Sequence, residues 1–396
     1  MPGISRLGSG VVGMAGRTSI PPQPIDRVLR LGGVRLPMLS PARLYVCGIT
    51  PYDVTHLGHA ATFVWADVAA RVLRHLGVEV ESCRNVTDVD DVLDAAAARA
   101  GERADSFAAV QQFHFDRDMA ALGVRRPVHE PRAHNHVAQV VTLAAALLAA
   151  GAAYERGGTV WFRGAGVAER AGLEPAEAAA LSREFGDATA DRDGGGRGDA
   201  ADVAVWRAAA PGEAAWPSPW GEGRPGWHAE CTAMALTTLG PALDLHAGGA
   251  DLRFPHHAYE AALAEAVTGV RPFARSWMHV GTVRVGGEKM AKSAGNLVLV
   301  SDLLADHPAA ALRLMLVDRP WAAQWDYHPA ALPAAAARLE RLYTAASRHG
   351  AELGAAASAA VTAALLDDLD VPAALAVAEE EGGPAARLAL SVLGLA

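Results

Sequence analysis

Lysine is almost missing from this chain. Of its 35 basic residues in 396, only Lys289 and Lys292 are lysines, and the rest are arginines. Cysteine is nearly as scarce, with single residues at 47, 83 and 231. Three are too few for a disulfide framework, so each has to be a packing residue, a ligand or a nucleophile. No run of about 18 uncharged apolar residues occurs, and the stretch from Met1 to Pro24 lacks the apolar core of a secretory signal. These absences exclude a helical membrane span and predict a soluble, cytoplasmic protein. Positive charge is in deficit too: 35 Lys+Arg against 44 Asp+Glu leave a formal charge of −9. Such a chain lacks the broad basic field that grips a phosphate backbone, so a nucleic-acid partner is not expected. What the chain has is apolar content, 51%, which excludes disorder as its main character. At roughly 100–200 residues per domain, its length suggests two or three domains.

Both lysines sit in one stretch, Lys289-Met290-Ala291-Lys292-Ser293, between Gly287 and Gly295. Lysine is a compact ammonium on a flexible stem and arginine a wide planar fork. Retaining lysine only here points to a site that brings a point charge onto a phosphate.

Residues 1–40 read as an irregular Gly/Pro arm with one short strand near Val34-Arg35-Leu36. The apolar run Arg43–Cys47, a loop through Pro51, helical spacing from His59 to Leu76 and a second apolar run Val78–Cys83 make 43–86 a β-loop-α-β unit. This opens a nucleotide-binding α/β fold. Helices are expected over 88–100, 105–122 and 135–150, and a strand pair near Tyr154 and Val160–Phe162. The Gly/Asp-rich stretch 187–196 reads as a mobile loop of an insertion. The α/β pattern resumes with a helix over 227–239, a strand over 243–247, a helix over 256–267 and a strand region over 277–285. From Val300 the text is Ala/Leu-rich at helical period. The expected organisation is an arm over 1–40, a Rossmann-like parallel-sheet catalytic domain over 41–122 and 221–299, an inserted subdomain over 123–220 and a helical bundle over 300–396.

His56-Leu57-Gly58-His59 stands where a loop becomes a helix. Backbone N–H groups and the positive dipole end favour a phosphate there, and Gly58 lets it lie against the backbone. Capping or surface histidines would write the same motif. Adding Lys289 and Lys292 makes a set suited to charge developing on an attacked phosphorus. Cys47 ends the first strand, Cys231 lies in Gly226-Trp227-His228-Ala229-Glu230-Cys231, and His256 and Glu260 stand four apart on one helix face. Two thiolates, an imidazole and a carboxylate suit Zn²⁺; ordinary buried cysteines are the alternative. Cys83, among strand residues, reads as packing. Gly248-Gly249-Ala250-Asp251 follows a strand and offers a carboxylate to an amine or a ribose hydroxyl.

The ordered set His-x-Gly-His, Gly-Trp-His-x-Glu-Cys, Gly-Gly-x-Asp-Leu-x-Phe-Pro-His-His and Lys-Met-x-Lys-Ser resembles the class I aminoacyl-tRNA synthetases, cysteinyl branch, from about 43 to 330. That branch holds enzymes that charge tRNA and ligases that join L-cysteine to the amine of glucosaminyl-inositol in mycothiol biosynthesis, both through a cysteinyl adenylate. Cys47-Gly48-Ile49-Thr50-Pro51-Tyr52-Asp53 looks like the ligase version, whereas Asn85–Asp91 is common to both. After Ser293, 103 residues remain, with six Arg, no Lys and twelve Asp+Glu, which disfavours an RNA-reading domain.

The resemblance implies Zn²⁺ on Cys47, Cys231 and His256, open to the substrate thiolate. It implies His56, His59, Lys289 and Lys292 around the α-phosphorus of ATP, with Mg²⁺ on the pyrophosphate. It places the adenylate along Cys47, Gly48, Ile49 and Thr50, Thr62, Asn85, Val86 and Thr87, Trp227, Gly249, Ala250 and Asp251, and Val283. The expected partners are L-cysteine, ATP and glucosaminyl-inositol, on a monomer. Three positions depart from the pattern: Ala291 stands in place of a serine, Glu260 has an open role, and Glu184-Phe185-Gly186-Asp187-Ala188 stands where Glu-Arg-Gly-Gly-Asp-Pro is expected; the first and last leave open a non-catalytic paralogue that binds zinc and adenylate.

Overall fold

A computed structural model describes residues 28–37, 40–52, 54–185, 196–291, 294–348 and 354–396. A hairpin of β1 (Leu29–Leu31) and β2 (Val34–Leu36) turns through Gly32 and Gly33, whose φ of 58° and 79° suit glycine. Then β3 (Ala42–Ile49), α1 (Leu57–His75) and β4 (Val80–Val86) form the β-loop-α-β unit expected over 43–86. Two helices follow, α2 (Asp91–Ala100) and α3 (Ala104–Ala121). Asp90 caps the first of these, its carboxylate accepting from the backbone N–H groups of Val92 and Leu93.

Next come α4 (Val137–Ala149), β5 (Ala153–Arg156), β6 (Thr159–Phe162), α5 (Val167–Arg170), α6 (Pro175–Phe185), β7 (Val203–Ala208) and β8 (Gly223–Pro225). The four strands make one antiparallel sheet in the order β5-β6-β7-β8. The sequence pattern exposes only its first hairpin, because β7 is apolar without alternation and Gly-Arg-Pro carries no strand signal. The expected mobile loop at 187–196 lies, except for Gly196, outside the described residues.

The α/β pattern resumes as α7 (Trp227–Leu239), β9 (Leu243–Gly249), α8 (Ala258–Thr268) and β10 (Ala274–Val280). The helix expected from His256 begins two residues later. Phe254 is extended at φ −146° and ψ 136°, and the proline after it disfavours a helical residue there. The strand region expected over 277–285 is two strands, β10 and β11 (Val283–Val285), split at Gly281. A Cβ at Gly281 would lie 2.2 Å from the Ala323 carbonyl oxygen, so glycine lets two backbones cross. β12 (Glu288–Lys289), α9 (Val300–Asp306), α10 (Ala309–Val317), β13 (Trp325–Asp326), α11 (Ala331–Ala346), α12 (Gly354–Leu366), α13 (Val371–Glu381) and α14 (Gly383–Leu393) complete the chain. The helical reading from Val300 omits β13, which pairs with β11 in parallel.

The main sheet is parallel, in the order β10-β9-β3-β4. Its first strand in sequence, β3, has β4 on one side and β9 on the other, so the winding reverses between β3 and β9. In open α/β sheets that switch point leaves a crevice beyond the carboxyl ends of the strands, where ligands bind. Here those ends are Cys47–Ile49 and Gly248–Gly249. One face of the sheet packs with α1 into an apolar core continuous with α10–α14. The other buries Cys47, Cys83 and Cys231 with Tyr45, Met234 and Phe273.

Candidate active site and metal centre

At the carboxyl end of β3, four donors converge from three elements: Cys47 from β3, Cys231 from α7, and His256 and Glu260 from the turn into α8. All are buried, and their ligand atoms lie within 4.8 Å of one another. Cys47 Sγ–H points at Glu260 Oε1, 3.6 Å away, and Asn85 Nδ2–H donates to Cys231 Sγ at 3.3 Å while Asn85 Oδ1 accepts from Gly48 N–H at 2.8 Å. Asn85 thus ties β4 to both cysteine-bearing elements. A Cβ on Gly48 would fall 1.6 Å from the Asn85 carbonyl oxygen, so this approach requires glycine.

The electrostatics of the group match metal ligands. Burial pushes the Cys47 thiol well up, while the neighbouring Cys47 side chain, outweighing burial, holds Cys231 down with help from His256. Burial opposes charge on His256, but Glu260 and Cys231 raise it to about 10. Glu260 sits well below the carboxylate range because His256 and His246 outweigh its burial. A buried thiolate, an imidazole holding the balancing proton and a carboxylate form a set that a divalent ion can take over by displacing protons.

His56 and His59 stand on the first turn of α1 with rings stacked at 3.9 Å. His56 Nδ1 accepts from Gly58 N–H at 3.1 Å, so the capping role is real, and it holds the imidazole at the helix N-terminus. Burial, aided by Lys289, lowers His59 to about 4, which keeps it neutral. The lysine segment joins this turn by backbone pairing: Leu57 N–H donates to Val298 O at 3.0 Å and Val300 N–H to Thr55 O at 3.0 Å. Lys289 Nζ donates to Asp251 Oδ2 at 2.7 Å, linking it to the Gly-Gly-Ala-Asp turn. Asn296 folds the segment back, accepting from Ala291 N–H and donating to Lys289 O. Ala291 thus contributes its backbone where its side chain departs from the expected serine. Lys292 lies outside the described residues, as does Gly186–Ala188 of the departing motif.

Of the remaining candidate residues, several lie beside the ends of β3 and β9. Thr50 follows β3. Thr87 donates through N–H and Oγ1–H to Ile49 O, holding Val86 and Thr87 beside the strand end. Thr62 Oγ1–H donates to Gly58 O, and a Cβ on Gly249 would approach Thr62 Oγ1 at 3.9 Å and Asp251 Oδ1 at 2.4 Å. Ala250 and Asp251 form a short 3₁₀ turn. Trp227 opens α7 and stacks on His256 at 4.0 Å. Val283 is buried at the start of β11. Cys83 is fully buried in the apolar cluster behind the site, as its packing reading expects.

Residues 38–337 match the family model of the class I (C) tRNA synthetase catalytic domain. The chain belongs to that class I synthetase family. An L-cysteine:1D-myo-inositol 2-amino-2-deoxy-alpha-D-glucopyranoside ligase of Nocardia farcinica is 45% identical over 344 residues, 85% of this chain and 83% of the relative. One of Parafrankia sp. is 44% identical over 88% of this chain and 79% of its own. A cysteine–tRNA ligase of Alkalilimnicola ehrlichii is 45% identical over 76% of this chain and 65% of its own length. Among solved structures, Mycobacterium tuberculosis methionyl-tRNA synthetase in complex with methionyl-adenylate superposes with a TM-score of 0.61 at 19% identity, covering 90% of this chain and 82% of that one. It shares the class I synthetase fold.

Within this class I site, sequence reasoning missed a wall of histidines. His246 on β9, His257 and His279 on β10 gather beside Trp277, which stacks on His246 at 4.7 Å. His246 Nε2 reaches Glu260 Oε2 at 2.9 Å, and a second donor group of Cys47, His246, His257 and Glu260 overlaps the first. A histidine at an inward position of a buried strand, as at 246, was the available signal. Glu260, whose role the sequence left open, is common to both groups.

Proposed function

We propose that the chain activates L-cysteine with ATP as cysteinyl-AMP and transfers the cysteinyl group to the amine of a glucosaminyl-inositol, releasing AMP and pyrophosphate. The relatives of that name match 85% or more of the chain, and the donor set supports it from within. Cys47, Cys231 and His256, with Glu260 beside them, would hold Zn²⁺, which when bound supplies a soft contact for a substrate thiol that serine lacks. The substrate carboxylate attacks the α-phosphorus, forming a P–O bond as the bond to pyrophosphate breaks. His56, His59, Lys289 and Lys292 offset the charge that builds there, and Mg²⁺ accompanies the triphosphate. The acceptor amine then attacks the acyl carbon and AMP leaves. Asp251 and the Cys47–Thr50, Asn85–Thr87 and Trp227 segments line the path of the adenylate.

The observation that carries the choice of acceptor is charge: the described C-terminal helices lie in a segment with twelve acids against six arginines and no lysine. That surface is poorly made for an RNA backbone. Charging of tRNA is the second reading, favoured by the Alkalilimnicola relative. The reading divides the chain as the sequence does: arm over 1–40, catalytic domain over 41–122 and 221–299, insertion over 123–220 and bundle over 300–396. A cytoplasmic monomer belongs to it, checked by cell fractionation and light scattering. Among the described residues, no helix is long and apolar enough to cross a membrane. Cysteine-dependent exchange of pyrophosphate into ATP tests activation, and product analysis with glucosaminyl-inositol against tRNA tests the acceptor. Transfer of cysteine to tRNA alone would reverse the assignment.

A further inference from the structure

Lys289 is held by two groups from different parts of the chain. Its ammonium donates to Asp251 Oδ2 at 2.7 Å, and it also lies 4.7 Å from the centroid of the Phe185 ring, the last residue of α6 in the antiparallel-sheet segment. Its side chain is 45% exposed and that of Asp251 36%, so the three meet at the open mouth of the crevice. A π face attracts an ammonium through the ring quadrupole, and an aliphatic side chain of similar bulk does not. Asp251 stands in the 3₁₀ turn just beyond the carboxyl end of β9, where the fold places its ligand, and a Cβ on Gly249 would lie 2.4 Å from its Oδ1.

We propose that Phe185 and Asp251 form a resting clamp on Lys289, and that nucleotide releases it. A ribose hydroxyl or amine arriving at Asp251 competes for the carboxylate that holds the ammonium. Once displaced, the ammonium swings on its four-carbon stem toward the stronger charge of the phosphates, and the ring loses its cation. Phe185 is therefore a positioning residue: it touches no reacting atom and sets how much of the binding energy of ATP goes into freeing Lys289. The release step rests on the ligase reading above, in which Asp251 faces the nucleotide and Lys289 the phosphorus. The clamp itself does not.

The composition of the chain supplies the assay, since Lys289 and Lys292 are its only lysines. Brief acetylation of the full-length protein with an N-hydroxysuccinimide acetate, located by tandem mass spectrometry, reads Lys289 against Lys292 as internal reference. Phe185→Leu should acetylate Lys289 about 2- to 5-fold faster than the parent, and Phe185→Trp should restore the protection, since an exposed ring–cation contact is worth about that factor. Phe185→Leu should also lower the KM for ATP in pyrophosphate exchange by a similar factor with kcat unchanged, because the ring acts only before nucleotide binds. Equal labelling of parent and Phe185→Leu, or fast labelling of Phe185→Trp, overturns the clamp. A KM for ATP that stays put or rises in Phe185→Leu overturns the release. Labelling needs no turnover, so a parent that labels as expected but exchanges no pyrophosphate refutes the ligase reading alone.

Discussion

The Nδ1 atoms of His228 and His256 lie 2.8 Å apart, so the two rings share one proton between them. His228 is buried beside Tyr259, and burial holds it down to about 3, so it is the neutral partner. It can accept from His256 Nδ1–H, which fixes the His256 tautomer and leaves Nε2 facing Glu260 at 3.4 Å and the thiols. His228 therefore orients His256 without joining the group of four donors.

Removing that orientation should loosen the metal. His228→Ala is expected to lower Zn²⁺ affinity about 10- to 100-fold, the usual cost of losing such a partner. Cys231→Ser should lose the metal outright. Competition against a chromophoric chelator measures both, and an unchanged affinity in His228→Ala would show that α8 alone orients His256.

The lysine pair should act at the reacting phosphates rather than in cysteine binding. Lys289→Ala and Lys292→Ala are each expected to slow adenylate formation about 10²- to 10³-fold while sparing cysteine binding to the metal centre. Lys292→Arg should rescue poorly, because a planar fork does not replace a point charge. Rapid-quench measurement of adenylate decides this, and an arginine variant at the parental rate would reduce the segment to generic charge.

Acid should destabilise the fold well before its carboxylates titrate. Burial lowers His59 to about 4 and His228 and His279 to about 3. The unfolded chain binds protons at these three sites near pH 6.5, where the folded chain does not. Stability from neutral burial is therefore present above about pH 6.5 and is lost as pH falls toward 4 and 3, by roughly 1.4 kcal/mol per pH unit for each histidine once its unfolded form is charged. Urea unfolding at pH 7, 6 and 5 should show the slope. His59→Gln should flatten it by about one proton, and an unaltered slope would place His59 in contact with water.

Arg313 should be the costliest surface-remote change. Fully buried on α10, it donates to Leu393 O at 2.6 Å, to Leu122 O at 3.0 Å and to Asp67 Oδ2 at 2.5 Å, joining α14, the end of α3 and α1. Arg313→Met leaves two carbonyls without this donor and a buried carboxylate with Arg71 as its remaining cation. A loss of about 3–5 kcal/mol is expected in urea unfolding. A loss below about 1 kcal/mol would show that apolar packing alone docks the bundle.

Much of this protein is local and so was open to reading from the chain. Apolar period placed the β3-α1-β4 unit, α7 and β9, because burial of one face is written every two or 3.6 residues. Chemical type grouped Cys47, Cys231, His256 and Glu260, which the fold brings within 4.8 Å of one another, and it pointed the two lysines toward a phosphate, since soft donors and point charges are restricted in what they suit. The exceptions were also local in cause: α8 starts late where an extended residue precedes Pro255, β7 is apolar without alternation, and β8 and β13, of three and two residues, are too short to carry a period.

Only the tertiary structure decided which side chains meet across hundreds of residues. Nothing in the order of residues says that Asn85 bridges Gly48 to Cys231, that His246 faces Glu260 from a neighbouring element, or that Phe185 and Asp251 close on Lys289. These contacts follow from the parallel order β10-β9-β3-β4 and from the return of the antiparallel segment over the crevice. A sequence specifies which residues want burial or charge, while the pairing of distant elements depends on how their faces pack together, and that packing set the geometry of this site.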